Sequence, residues 1–246
     1  MQRILALAAL FSVACGGGSE GGGGSSGGDA AAAAPLGTGS IAGVVNFLGT
    51  PPANVAIDMS EEVECAAKYT DGPVDPVVVV TDGKLANVFI RVTSGVPAGP
   101  YPMPSENAKI DQNGCLYTPR VIGIMVGQDL EITNSDPLLH NIKSSPTENR
   151  PFNISQPREM STTRSFRTPE VMVSFQCDVH GWMKAYVGVV EHPYFAVSDD
   201  DGSFTISGLP DGTYTIEAWH ETLGTRTAEV TVSGGAVASA EFSFGS

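Results

Sequence analysis

One stretch of the chain carries the residue types best suited to metal chemistry. Residues 175–183 read Phe-Gln-Cys-Asp-Val-His-Gly-Trp-Met and so place a thiolate, an imidazole and a thioether close together. Soft sulfur ligands with imidazole suit copper, and two histidines, one cysteine and a weak axial methionine form a mononuclear type 1 site. The second histidine has to come from elsewhere, and His140 is the candidate because it follows a predicted strand and a polar turn. The pattern predicts one copper ion held by His140, Cys177, His180 and Met183.

The position of Cys177 after a predicted strand indicates which way its sulfur points. Residues 171–176 read Val-Met-Val-Ser-Phe-Gln, a composition typical of β-strands. Side chains alternate along a strand, so Cys177 shares a face with Val173 and Phe175 and points into the core. The two remaining ligands of this stretch then lie in the loop before the next predicted strand, where a histidine from another strand can reach them.

Short segments rich in β-branched and aromatic residues follow one another from residue 39 onward. Gly, Pro and Asp separate them, as is typical of turns between strands. Many short strands with regular turn signals predict an all-β fold built from sandwiches. One short helix is expected at residues 60–67, with Ser60 as its N-cap. The predicted strands cover residues 39–47, 85–92, 123–126, 130–133, 171–176, 186–190, 203–206, 213–218 and 228–232.

The segment from about residue 108 to residue 190 resembles the cupredoxins of the plastocyanin and amicyanin type. Residues 126–142 resemble the plastocyanin pattern of a strand followed by Asn, Asp and a His-Asn pair. The Cys-x2-His-x2-Met spacing matches the short ligand loop of amicyanin. The resemblance implies a Greek-key β-sandwich with one type 1 copper ion. It implies three strong ligands and a weak axial one, in the order His140, Cys177, His180 and Met183.

The resemblance also implies roles for two residues beside the ligands. Asn141 occupies the position whose hydrogen bonds brace the ligand loop, and such partners tune a metal. Trp182 occupies the position where amicyanin-like loops expose an aromatic side chain near the copper, which makes it a candidate electron-transfer patch. The prolines of the amicyanin loop are absent, because Val179 and Gly181 occupy their positions. The resemblance therefore does not extend to the stiffness of the loop.

A second resemblance concerns the two ends of the folded part. Residues 197–218 resemble the carboxypeptidase regulatory-like domain, a small transthyretin-like sandwich, and residues 39–45 and 86–92 resemble its first strands. The resemblance implies that residues 39–105 and 193–246 are two parts of one sandwich. The cupredoxin domain, residues 106–192, is then inserted into this sandwich or packed on it.

The N-terminal part has the layout of an export signal. Residues 1–14 contain one basic residue, an apolar run and small residues, and they are too short for a permanent membrane span. Cys15 stands where a bacterial lipoprotein is cleaved and lipidated, and residues 15–38 form a linker rich in Gly, Ser and Ala. The alternative is an ordinary secretory signal that is cleaved nearby. Either reading predicts the periplasm or cell envelope, and lipidation would give membrane attachment through the anchor only.

The cysteine count leaves one pair to be explained. The chain contains four cysteines, of which Cys15 is assigned to the anchor and Cys177 to the metal. In an oxidising compartment the remaining pair, Cys65 and Cys115, predicts a disulfide. The alternative is two separate buried thiols.

The charge balance restricts the partners. Lys and Arg number 13 against 27 acidic residues, which gives a formal net charge of −14. So acidic a chain does not bind nucleic acid through phosphate contacts. It favours partners with a basic docking face, and for a copper protein we expect a redox protein such as a cytochrome.

The ligand set favours electron transfer over catalysis. A copper ion with four protein ligands leaves no open position for a substrate, unlike catalytic metal sites. The sequence therefore predicts a one-electron carrier and not an enzyme. Multicopper oxidases and copper nitrite reductases need additional copper-binding histidines, whereas this chain has four histidines in all, and His192 and His220 lie outside the ligand loop. The alternative is a non-redox β-sandwich protein of the cell envelope that binds a surface or handles copper.

Overall fold

The structure, a computed structural model, describes residues 33–245. The signal peptide predicted at residues 1–14, the lipidation predicted at Cys15 and the linker up to residue 32 lie outside the described residues. Within the described range, no helix has the length and the apolar character needed to cross a membrane.

The described residues form eighteen strands and one helix of four residues. The all-β fold predicted from the sequence is confirmed. In chain order the elements are β1 (Gly39–Leu48), α1 (Val63–Ala66), β2 (Val80–Thr81), β3 (Lys84–Leu85), β4 (Phe89–Ser94), β5 (Ala108–Asn113), β6 (Leu116–Thr118), β7 (Val121–Met125), β8 (Asp129–Asn134), β9 (His140–Ser145), β10 (Asn153–Gln156), β11 (Met160–Ser165), β12 (Glu170–Gln176), β13 (Lys184–Val190), β14 (Phe195–Val197), β15 (Ser203–Leu209), β16 (Gly212–His220), β17 (Gly224–Val232) and β18 (Val237–Gly245).

The strands from the two ends of the described chain make one sandwich, which we call the split sandwich. One of its sheets has the order β15-β1-β3-β2, with β18 paired in parallel to β1, and the other has the order β14-β4-β16-β17. Alternate residues of β16, namely Tyr214, Ile216 and Ala218, are buried because successive side chains of a strand point to opposite faces. They pack against the apolar side chains of β1, among them Ile41 and Val45.

The strands between β4 and β14 make a second sandwich, which we call the inserted sandwich. Its sheets have the orders β10-β9-β12-β13-β7 and β11-β8-β5-β6. Its core contains Leu130 and Ile132 from β8 and Val173 and Phe175 from β12, all at most 1% exposed. Its strands run from residue 108 to residue 190, so the chain leaves the split sandwich after β4 and returns to it with β14.

The two sandwiches pack closely where β7 and β13 run side by side. Gly123 and Gly188 are paired in register on these strands. A Cβ atom at Gly188 would lie 2.6 Å from the ring of Phe89, and one at Gly123 would lie 2.4 Å from the ring of Phe195. Both phenylalanines belong to the split sandwich, so the glycines make room for its aromatic side chains.

A segment between β1 and β2 crosses to the inserted sandwich. We call residues 57–69 the cap segment. Met59 and Cys65 of this segment are buried in the core of the inserted sandwich. Cys65 forms a disulfide with Cys115, which follows β5, and the hydroxyl of Tyr69 donates to the carbonyl of Gly114 over 2.6 Å.

Several local predictions differ from the structure. The strand predicted at residues 85–92 is two strands, because β3 and β4 belong to different sheets and the chain turns between them at Asn87, whose φ is 60°. The prediction of Ser60 as the helix N-cap is wrong: the N-cap is Glu62, and the Ser60 amide donates to the Asp58 carboxylate over 2.9 Å. Residues 33–38, predicted as linker, lie against the split sandwich, where the Gly37 amide donates to the carbonyl of Gly208 over 2.8 Å.

Candidate metal centre

Strand β12 delivers Cys177 to the interior of the inserted sandwich. Val173, Phe175 and Cys177 alternate along the chain and are each at most 1% exposed. The inward direction therefore agrees with the strand alternation. Residues of β12 from Ser174 to Gln176 pair with β9, so the strand that carries the cysteine lies beside the strand that begins with His140.

A polar turn positions His140 at the start of β9. The Asn134 side chain accepts a hydrogen bond from the Asp136 amide over 3.0 Å and donates to the Leu138 carbonyl over 2.9 Å. These bonds fix the course of residues 134–138. His140 itself is fully buried.

The loop between β12 and β13 brings His180 and Met183 next to Cys177. The Met183 amide donates to the His180 carbonyl over 2.9 Å, and the Cys177 amide donates to the Met183 carbonyl over 3.2 Å. The His180 amide points at the Cys177 sulfur at 3.3 Å. His180 and Met183 are at most 1% exposed, so this closed turn keeps three of the four predicted ligands buried.

The donor atoms of His140, Cys177 and His180 converge. The two Nδ1 atoms lie 2.9 Å apart, and the Cys177 sulfur lies 3.9 Å from Nδ1 of His180. Nε2 of His140 lies 2.8 Å from Oδ2 of Asp136, which places the ring hydrogen on Nε2 and leaves the Nδ1 lone pair free. Zinc takes these donors at about 2.0–2.3 Å, and one ion of similar size can join atoms at the observed separations.

The residues around Cys177 lower the pKa of its thiol. Burial raises its pKa, but hydrogen bonds with His140 and His180 and with the backbone of Asn141 have the larger, opposite effect and lower the pKa to about 6. The thiolate is the form of cysteine that binds metals. A buried thiolate, two imidazoles and a buried methionine therefore fit a copper ion by the chemistry of the donor set.

Asn141 holds the beginning of the ligand loop. Its Oδ1 accepts from the Asp178 amide over 2.6 Å and lies 3.2 Å from the Cys177 sulfur. Its Nδ2 donates to the Asn153 side chain over 2.6 Å. The side chain thus joins β9, β10 and the residue that follows the cysteine.

Trp182 of the ligand loop packs beside His180. It is partly buried, its ring centroid is 5.2 Å from that of His180, and its Nε1 donates to the Cys115 carbonyl over 2.9 Å. Val179 is the more exposed apolar residue of the loop, at 47%. The role of Trp182 as an electron-transfer patch stays a prediction.

Asp136 is a site residue whose role the sequence did not reveal. Besides His140, its carboxylate accepts from the amides of Gly114 and Cys115 over 3.0 and 2.8 Å and from the Lys68 ammonium group. Burial raises its pKa, but the hydrogen bond from Lys68 and the others outweigh this effect and bring the pKa to about 2. The ion pair joins residues 68 positions apart in sequence, so no local signal could have indicated it.

Glu62 of the cap segment faces the outer nitrogen of His180. Its Oε1 lies 3.6 Å from His180 Nε2, which is buried and has no hydrogen-bond partner among residues 33–245. Burial lowers the pKa of His180, but the contacts with Cys177 and then with Glu62 outweigh it and raise that pKa above 6.5. Nothing in the sequence around Glu62 predicts its contact with His180.

The two other histidines lie outside this cluster. His220 is buried at the end of β16, and its Nδ1 accepts from the Thr222 amide over 3.2 Å. His192 packs against Tyr194, with ring centroids 5.5 Å apart.

Comparisons with known proteins give limited likenesses. No family model and no curated protein matches the chain. Similar solved structures include a copper-containing nitrite reductase from Thermus scotoductus SA-01, with a TM-score of 0.33, 20% identity and coverage of 41% of this chain and 25% of that chain. A purple cupredoxin from Nitrosopumilus maritimus gives a TM-score of 0.30, 23% identity and coverage of 34% and 99%. An oxidised amicyanin with a single substitution gives a TM-score of 0.32, 16% identity and coverage of 41% and 97%.

The chain thus spans a quarter of the nitrite reductase and nearly all of the two smaller proteins, while each match covers less than half of this chain. At these TM-scores the likenesses carry no argument about function. What the site can do follows from its own geometry.

Proposed function

We propose that this chain is a mononuclear type 1 copper protein that carries one electron at a time outside the cytoplasm. The observation that carries the proposal is the convergence of the Cys177 sulfur and the Nδ1 atoms of His140 and His180 inside the inserted sandwich. Met183 would complete the set as the weak axial ligand. Bound copper would supply a one-electron couple between Cu(I) and Cu(II).

Burial supports electron transfer over catalysis or copper delivery. His140, Cys177, His180 and Met183 are each at most 1% exposed. Catalytic metal sites keep an open position for substrate, and a delivery site has to present its ligands to a recipient. Electrons, by contrast, can reach a buried ion through the surrounding protein. The remaining histidines, His192 and His220, lie outside the cluster and do not supply the further copper ligands that a nitrite reductase or a multicopper oxidase requires.

The charge of the surface near the ligands supports a basic partner. Asp58, Glu61 and Glu62 line a surface depression together with Val179 and Trp182 of the ligand loop. With a net charge of −14, the chain attracts cationic proteins at long range. We therefore expect a redox partner such as a cytochrome with a basic docking face, and a rate of electron transfer that falls as salt is added. Export through the N-terminal signal, with attachment at Cys15, would place this reaction in the periplasm or cell envelope.

Copper loading of the purified protein tests the proposal. The wild type should bind one copper ion, show an intense visible thiolate-to-copper band and give a narrow copper hyperfine splitting in its electron paramagnetic resonance spectrum. Cys177→Ala and His140→Ala should lose the band, whereas His192→Ala, which removes a histidine outside the cluster, should keep it. A wild type that binds copper without colour, or a Cys177→Ala variant that stays coloured, would refute the proposal.

A further inference from the structure

The cap segment places charged side chains of opposite sign near both candidate histidine ligands, one facing His180 directly and the other reaching His140 through Asp136. Lys68 contacts Asp136, whose carboxylate holds Nε2 of His140 at 2.8 Å. Glu62 lies 3.6 Å from Nε2 of His180. Neither residue is part of the inserted sandwich itself, and both come from the stretch between β1 and β2. The segment therefore touches the candidate metal centre at two independent points.

The attachment of the cap segment fixes these two charges. The disulfide joins Cys65, which lies between Glu62 and Lys68, to Cys115. Sulfur atoms of this disulfide also lie close to the ligands: Cys65 is within 4.8 Å of a ring nitrogen of His180, and Cys115 is within 4.8 Å of a ring nitrogen of His140. The segment is thus fastened immediately behind the two imidazoles.

We propose that Lys68 and Glu62 are positioning residues that set the reduction potential of the copper in opposite directions. The proposal rests on the proposed function, because it assigns a role toward the copper held by His140, Cys177 and His180. The oxidised centre carries one more positive charge than the reduced centre. Lys68 disfavours that extra charge and raises the potential, whereas Glu62 favours it and lowers the potential.

The path through Asp136 strengthens the effect of Lys68. A carboxylate that accepts the second ring hydrogen of a metal-bound histidine raises the basicity of that ligand. Lys68 neutralises the carboxylate and weakens its pull on the His140 ring. Without Lys68, the fully buried Asp136 would act on His140 as an unpaired charge, which favours Cu(II). The Asp136 side chain is 0% exposed, whereas that of Glu62 is 42% exposed, so the change at Lys68 should be the larger one.

Voltammetry of copper-loaded variants tests the proposal. Lys68→Met should lower the potential by the equivalent of about tenfold in the Cu(II)/Cu(I) ratio, which is 59 mV for a one-electron couple. Glu62→Gln should raise it by a smaller amount. Lys68→Arg should restore the wild-type value, and the thiolate-to-copper band should persist in all three variants because the ligands are unchanged.

Matched controls separate a local effect from a change in total charge. Lys109→Met removes a lysine of the inserted sandwich that is 73% exposed and paired with Glu131, and Glu64→Gln removes a neighbouring carboxylate of the cap segment. Neither control should shift the potential by a comparable amount. If Lys68→Met does not fold, Glu62→Gln still tests the inference, because the Glu62 side chain is 42% exposed and an unchanged or lowered potential in this variant overturns it.

The outcomes also separate this inference from the proposed function. A coloured, reversible wild type whose potential is unchanged in Lys68→Met and Glu62→Gln, or moves in the same direction in both, overturns the inference and leaves the copper site standing. A wild type that gives no coloured copper complex overturns both.

Discussion

Arg120 joins the two sandwiches through a buried ion pair, and its removal should destabilise the whole protein. Its guanidinium group donates to Glu221 over 2.5 and 2.9 Å and to Asp75 over 2.7 Å. Arg120 immediately precedes β7 of the inserted sandwich, and Glu221 follows β16 of the split sandwich. The side chains of Arg120 and Glu221 are 6% and 5% exposed, so Arg120→Met leaves the Glu221 carboxylate buried without its partner.

The burial of this pair sets the size of the effect. Removing one partner of a buried ion pair costs about 3–5 kcal/mol, whereas replacing both partners by apolar residues is often close to neutral. For a protein of this size, about 1 kcal/mol corresponds to about 2–4 °C in Tm. Arg120→Met should therefore lower Tm by about 6–20 °C. The double variant Arg120→Met/Glu221→Leu should recover a large part of that loss.

Thermal unfolding of the single and double variants measures this coupling. Arg91→Met is the matched control, because Arg91 pairs with Glu217 and the two side chains are 29% and 24% exposed. The Arg91 pair keeps more contact with solvent, so its contribution should be closer to the about 0–1 kcal/mol of surface pairs, and this control should lose clearly less Tm than Arg120→Met. If Arg120→Met unfolds at the same temperature as Arg91→Met, the Arg120–Glu221 pair does not stabilise the protein as its burial predicts.

Three further changes have defined outcomes. Replacing both Cys65 and Cys115 by Ala should lower the free energy of unfolding by about 2–5 kcal/mol in urea titrations, and recovery of two freely alkylated thiols from the unreduced wild type would contradict the disulfide. Asn141→Ala leaves the Asp178 amide without its acceptor at 2.6 Å, so it should cost about 0.5–1.5 kcal/mol and shift the thiolate-to-copper band, and an unchanged band would argue against its bracing of the loop. Burial raises the pKa of the Glu170 carboxyl group. Hydrogen bonds from the amides of residues 147–149 outweigh this effect and lower the pKa below 4.5. Because a lowered folded pKa stabilises the protein above the unfolded value and this is lost on acidification, the Glu170→Gln variant should be less stable than the wild type at pH 7 and equally stable once the pH falls well below 4.5. A stability difference that is the same at both pH values would contradict this role.

The ligand strand and loop could be predicted because the information was local. Cys177, His180 and Met183 lie within one short stretch, and the alternation of Val173 and Phe175 before them indicated the inward face. Strand β9 was harder to predict, because its sequence, His-Asn-Ile-Lys-Ser-Ser, is mostly polar. His140 was indicated by the predicted strand and polar turn before it and by the resemblance to a known pattern, and not by the sequence of β9 itself. Strands β10 and β11 are similarly polar and were not predicted.

The surroundings of the ligands depend on contacts between distant parts of the chain. Lys68 and Glu62 meet the site because the cap segment leaves the split sandwich and crosses to the inserted one. No periodicity or spacing in residues 57–69 indicates that crossing. The cysteine count did predict a link between Cys65 and Cys115, but not that this link lies behind the two imidazoles. Sequence reasoning therefore named the candidate donors, which the structure brings together, and missed the charges around them.

X-ray absorption at the copper edge tests the central claim most directly, because it reads the atoms bound to the metal. The protein should be measured fully oxidised and fully reduced. If His140, Cys177 and His180 hold the copper, both spectra should show one thiolate sulfur and two imidazole nitrogens at short distance, with little change on reduction. A copper surrounded only by nitrogen and oxygen, with no bound sulfur in the oxidised protein, would contradict the account.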